Sequence, residues 1–209
     1  MRPCLIVFVA MAALFAGEAA AQSLSKDTTP TREPVTLYEE HPSDPAGRRL
    51  AGTAVWRTES VTSSNGQTAE LAIQAEIEVP DRGLAMTLSI RRNTDRHLPA
   101  SHVIDMTFKP SDDFPSGTVL KLPGILMKQG ERVRGSPLAG IAVKVSEDFF
   151  LIGLSEVEAD KERNLQMLWQ RDWFDIPLVY SNGRRAILAI AKGAKAFDEA
   201  FAAWSGLNP

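Results

Sequence analysis

Over residues 71–90 apolar and polar side chains alternate almost without interruption, and an extended chain with one dry and one wet face satisfies that order. Leu71, Ile73, Ala75, Ile77 and Val79 fall on one side, with Glu70, Gln74, Glu76 and Glu78 on the other. This is the period-two pattern of a half-buried strand. Pro80-Asp81-Arg82-Gly83 supplies a turn, and Leu84, Met86, Leu88 and Ile90 carry the same period back. The segment therefore predicts an antiparallel hairpin. Residues 53–61, carrying Trp56, precede it behind a Ser63-Ser64-Asn65-Gly66 turn, so a three-stranded meander is expected.

The same style continues along the chain. Ile104, Met106 and Phe108 share a face of a strand over 101–108. Proline and glycine then punctuate 110–140, leaving room for short strands at 119–122 and 125–127. Ile141, Val143 and Val145 alternate, and the continuous apolar run 149–154 predicts a central strand buried on both faces. Ser155 and Glu158 stand at capping-box spacing before a helix over about 156–171, with Val157, Leu165, Leu168 and Trp169 as its apolar side. Strands at 174–180 and 184–191 flank Ser181-Asn182-Gly183, where Asn-Gly predicts a tight turn with positive φ angles. Pro177 places the first of them near a sheet edge. Phe197, Ala200, Phe201 and Trp204 follow the i, i+3, i+4, i+7 rule of a closing helix over 195–204, and core packing is the expected use of that stripe. The expected fold is α+β, mainly antiparallel β, in the form of a β-sandwich of about eight to ten strands with two helices.

The N-terminus reads as an export signal. Arg2 precedes an apolar run over 5–15, followed by Gly17-Glu18-Ala19-Ala20-Ala21, so cleavage is expected after Ala21. The apolar run is too short to cross a bilayer as a helix. The only cysteine, Cys4, lies before that run, so the mature chain is expected to lack disulfides and thiolate metal sites. Residues 22–34 form a polar leader and 35–209 a single β-rich domain. A net charge of -3 argues against nucleic-acid binding. The arginine pairs at 48–49, 91–92 and 184–185 are short and scattered, as solvated strand ends are. The expected location is periplasmic or secreted, with no membrane span after signal cleavage. An unknown protein or envelope component is the expected partner.

No G-x-S-x-G, H-E-x-x-H or phosphate-cradling loop is present, and no catalytic residue or cofactor is assigned. The densest titratable cluster is Asp95, His97, His102 and Asp105, whose imidazole and carboxylate groups suit a divalent metal or an acid/base pair. On a strand, His102 and Asp105 point to opposite faces, which separates them. Asp112, Asp113, Glu147 and Asp148 offer oxygen ligands for calcium but read as turn residues. Trp56 and Tyr180 can stack on sugars, though core positions are the commoner use of such aromatics.

Several of these features share an order: the signal, Trp56-Arg57, Pro123-Gly124, Gly153-Leu154, Asn164-Leu165, and Gly183-Arg184-Arg185-Ala186-Ile187-Leu188 running through Gly193 to Phe201. In that order the chain resembles the invasion-associated locus B family of exported alphaproteobacterial proteins. The resemblance implies an exported β-sandwich acting at the envelope or in host association. That family carries paired cysteines, which this mature chain lacks. The leading expectation is a non-enzymatic envelope or host-association interaction protein. Two alternatives remain: a periplasmic hydrolase or metal-dependent enzyme using residues 95–105, and a small-ligand carrier.

Overall fold

The computed structural model describes residues 31–62 and 69–205. The signal segment, the leader up to residue 30 and the 63–66 turn lie outside them.

The meander forms as the alternation requires. Strand β1 (Arg32–His41) turns into the long β2 (Asp44–Thr62), which passes to β3 (Ala69–Val79), β4 (Leu84–Arg92) and β5 (His102–Pro110), each antiparallel to the last. Ile77 faces Met86 and Val79 faces Leu84, with a 3-10 turn at Pro80–Arg82 between them. Side chains of the inner face are fully buried from Ile73 to Ile104. Each side chain of Ile, Leu or Met buried in this way contributes about 1.5–3 kcal/mol relative to exposure, and the alternation delivers such residues at every second position.

The later strands are β6 (Val119–Lys121), β7 (Leu126–Lys128), β8 (Ser136–Pro137), β9 (Gly140–Lys144) and β10 (Phe149–Leu154). After helix α1 (Glu158–Gln170) come β11 (Trp173–Tyr180), β12 (Arg185–Ala191) and helix α2 (Ala194–Ser205). The β11–β12 turn uses a positive φ at Gly183 alone. Gly183 N–H donates to Tyr180 O and Tyr180 N–H to Arg184 O, the pattern of a type I turn closed by a glycine bulge. Asn182 instead accepts the Arg184 N–H on its side chain.

The mainly antiparallel α+β class stands, and the strands number twelve in one sheet ordered β8-β7-β11-β12-β1-β2-β3-β4-β5-β10-β9, with β6 beside β11. What the alternation suggested as two layers is one curled sheet. Its two ends, β8 and β9, sit on a single stretch of chain separated only by Leu138 and Ala139. The sheet must therefore bend until its first and last strands meet. A sandwich and a curled sheet both have one buried face, so alternation alone does not separate them. β10 shows that single-sided burial: Phe150, Ile152 and Leu154 are buried while Phe149, Leu151 and Gly153 are half-buried, in place of the expected burial on both faces. Pro177 lies on β11 between the stretches paired with β7 and β6, where no ladder donor is required.

Helix α2 plugs one mouth of the curl. Phe197 meets Trp56 at 5.0 Å between ring centroids and Phe174 at 5.8 Å, and Trp204 donates from Nε1 to Leu71 O at 2.6 Å. The aromatic stripe is core. Helix α1 begins one residue after Val157, and no capping box forms; Ser155 Oγ accepts the Val157 N–H at 3.3 Å. Its buried face is Asn164, Met167 and Leu168, while Val157 and Trp169 are exposed, contrary to the predicted apolar side. Asn164 explains the rotation: its amide bonds both Ala139 N–H and Ala139 O at 2.8 Å, pinning the helix to the chain that joins the sheet's ends.

Candidate functional site

The register of the outer face places Tyr38 beside Ile187 and Ile187 beside Pro177. Two residues further along each strand lies the row Glu40, Arg185 and Val179. These two rows floor an open groove of about 760 Å³. The β1–β2 hairpin tip and Pro123 also line it. At that tip Gly47 takes φ 72°, and a Cβ there would lie 2.5 Å from Glu39 O, so the bulged turn requires glycine. Asp44 Oδ1 accepts the Ala46 N–H and fixes the approach.

The Tyr38, Ile187 and Pro177 row is apolar, and charge enters with the Glu40–Arg185 pair beside it and along the rim. Ile187 is 40% exposed within that row. Arg185 donates to Glu40 at 2.7 Å through Nε and holds that carboxylate below its ordinary pKa. Arg48 and Arg184 also line the groove, and among the described residues neither guanidinium has a carboxylate partner. The arrangement offers an apolar surface between cations, suited to a ligand with both apolar and acidic groups.

Two polar clusters flank this wall, one partly open to solvent, with Arg49 53% and Glu131 21% exposed, and one buried. On the outer face, Glu131 from the β7–β8 loop accepts from Tyr38 Oη at 2.7 Å and Arg49 at 2.8 Å. Those donors and the Thr36 hydroxyl hold its carboxyl down at about 2. Lys128, nearly fully buried, pairs with Asp175 at 2.6 Å and also donates to Glu131 O. Burial raises the Asp175 pKa against the lowering pull of Lys128. At the mouth opposite α2, Arg82 pairs with Glu39 at 2.8 Å, donates to Ser116 Oγ at 2.5 Å and lies 4.9 Å above the Phe114 ring.

Of the residues singled out between 95 and 105, Asp95 and His97 share one loop, while His102 and Asp105 lie on opposite faces of β5. Asp95 Oδ1 accepts the His97 N–H at 2.8 Å, a turn contact within a loop that Asn93 ties together through Nδ2. Asp95 and His97 line a second surface cavity of about 630 Å³ with Glu156. Asp105 pairs with Arg91 at 3.1 Å on the outer face. His102 points inward, 3% exposed, with its ring 5.7 Å from that of Trp204. Among the described residues no group of three or more His, Cys, Asp or Glu is placed to hold a metal ion. Trp56 and Tyr180 are core side chains, 8% and 0% exposed.

Family models, curated proteins and solved structures yield no match to this chain. Among the described residues no helix is long and apolar enough to cross a membrane.

His102 carries a testable consequence. Its Nε2 has no hydrogen-bond partner, and burial, with Arg92 and Lys161 adding repulsion, lowers its pKa from 6.5 to about 4. The unfolded chain then binds the proton more readily than the folded one, so stability is intact above about pH 6.5 and falls as pH drops towards about 4. The loss expected from this group is about 3 kcal/mol at the acid end. His102→Phe, which keeps a ring against Trp204, should flatten that part of the profile in denaturant titrations at pH 7, 5.5 and 4. Equal acid sensitivity in both proteins would show that the group plays no such part.

Proposed function

We propose that this protein is an exported, non-enzymatic interaction module of the cell envelope or of host association, and that the groove over β1, β12 and β11 receives its partner. The observation that carries the reading is the exposed Ile187 in a groove that Arg48 and Arg184 also line, two cations with no carboxylate partner among the described residues. Apolar surface of that kind is costly to leave in water, and unpaired arginines at its border favour a partner segment combining apolar and acidic side chains. The signal-like N-terminus supports an envelope or extracellular setting. The Gly183-Arg184-Arg185-Ala186-Ile187-Leu188 stretch, part of the resemblance to the invasion-associated locus B family, contributes Arg184, Arg185 and Ile187 to this groove.

The folded chain beyond Cys4 has no cysteine, so Ile187→Cys gives a unique attachment point for a photo-crosslinker. Irradiation with an envelope fraction of the source cell is expected to yield a discrete adduct. Arg48→Glu together with Arg184→Glu should reduce its yield about tenfold or more, since reversed charges now oppose the acidic groups. An adduct of unchanged yield in the charge-reversed protein would sink the proposal.

A further inference from the structure

We infer that the sheet carries a strand-acceptor slot along its seam, between β9 and β6, built for a single extended segment of a partner protein in which β-branched and acidic residues alternate. The register of the closed part of the seam sets the expectation. Leu126 pairs with Pro137 and Met127 with Ser136, and Leu138 N–H donates to Ile125 O. Continued in the same register, Lys144 would face Val119 on β6. It does, but through its side chain: Lys144 Nζ donates to Val119 O at 2.7 Å where a closed sheet would have a backbone bond. The two strands are splayed.

The β9 edge faces the gap with unused hydrogen-bonding groups, while on β6 Val119 O accepts from Lys144 Nζ. Val145 N–H donates to Phe149 O and Ser155 N–H to Ala139 O, so the odd-numbered residues of β9 turn their backbone groups to β10. The backbone groups of Gly140, Ala142 and Lys144 therefore point away from β10, into the seam. Ile141 is 74%, Val143 50% and Val145 57% exposed, a row of β-branched side chains on one face of an edge strand. Natural sheets protect such edges with charge, proline or a covering element; on β9 the charge is Lys144, engaged on Val119 O, and the row Ile141, Val143 and Val145 carries none. Ile141 and Val143 are instead what cross-strand pairing with another β-branched strand would use.

The occupant follows from shape and charge. Because β6 stands on the far side of the gap, an incoming strand would be flanked by two edges, and Lys144 would give up its bond to Val119 O to admit it. Lys121 and Lys144, on the facing strands, are both exposed, and among the described residues neither has a carboxylate partner. Charge complementarity thus calls for acidic side chains in the incoming segment.

The test uses the folded protein and a fluorescent nonapeptide alternating valine and glutamate, with an alternating valine and lysine peptide as comparison. Saturable binding of the acidic peptide is expected, at least tenfold tighter than the basic one. Ala142→Pro removes only an N–H that faces the seam, leaving the β10 ladder intact, and should weaken binding at least tenfold with an unchanged circular dichroism spectrum. If that variant does not fold, Val143→Asp reads the same surface through lost apolar pairing and added repulsion. Equal binding by wild type and folded variant, equal binding of both peptides, or no saturable binding by wild type would each overturn the inference. So would dimerisation of the wild type that Ala142→Pro abolishes, because the occupant would then be a second copy.

Discussion

Arg82→Ala should lower the unfolding free energy by about 3–5 kcal/mol, because it strands the Glu39 carboxylate inside the sheet without its counter-charge. The side chains of Arg82 and Glu39 are 9% and 6% exposed. Water therefore cannot replace the lost guanidinium, and Ser116 Oγ, equally buried, loses its donor as well. For a domain of this size the loss corresponds to a fall in Tm of about 10 °C. The companion Glu39→Leu/Arg82→Met protein should recover most of it, since a buried pair replaced by apolar groups of similar volume costs little. Calorimetry of the single and double variants distinguishes the two effects. A single variant within about 1 kcal/mol of wild type would mean that the mouth opens to solvent and the pair is not the closure described.

Trp56→Ala should cost about as much, 3–5 kcal/mol, through lost burial and the cavity left behind. Trp56 is where three elements meet. Its ring stacks on Phe174 of β11 at 5.6 Å, lies edge-on to Phe197 of α2, and donates from Nε1 to Ala191 O at 2.9 Å. Phenylalanine in its place keeps most of the ring contact but leaves Ala191 O without that donor, so Trp56→Phe should lose only about 1–2 kcal/mol. Guanidinium titration followed by circular dichroism measures both. Equal losses for the two variants would show that the hydrogen bond, and not the ring, holds α2 in the mouth.

How much of this was legible in the sequence depends on how far apart the pairing residues lie. The hairpins formed by β3 with β4 and by β11 with β12 could be read directly, because turn and register are local and each carries its own alternation. Helix α2 was legible for the same reason: Phe197, Phe201 and Trp204 fall on one stripe whatever they pack against. The face of α1 was not, since Asn164 is buried for its two bonds to Ala139, a partner that no periodicity can reveal. The number of strands and the curl were also hidden. They depend on residues 136–144 belonging to both ends of the sheet, and Ile141, Val143 and Val145 read as an ordinary half-buried strand although their apolar side faces outward. In the 95–105 cluster the opposite orientation of His102 and Asp105 followed from strand geometry, whereas the groove did not. Its only local signals were the turn residues of Pro42-Ser43-Asp44-Pro45-Ala46-Gly47 and the pair Arg184-Arg185, and the register of β1 against β12 is what joins them.

The pairing of β1 with β12, Val35 opposite Ile190, also sets an order of events in folding. Among the described residues the first strand to be synthesised acquires its second neighbour only when almost the last has arrived, while the meander from β1 to β5 can assemble at once from adjacent contacts. Non-local pairings of this kind form late because the loop they close must be ordered first. Until then the flank of β1 carrying Val35 and Leu37 remains an open template, and any binding partner that prefers the nascent chain has its opportunity in that interval.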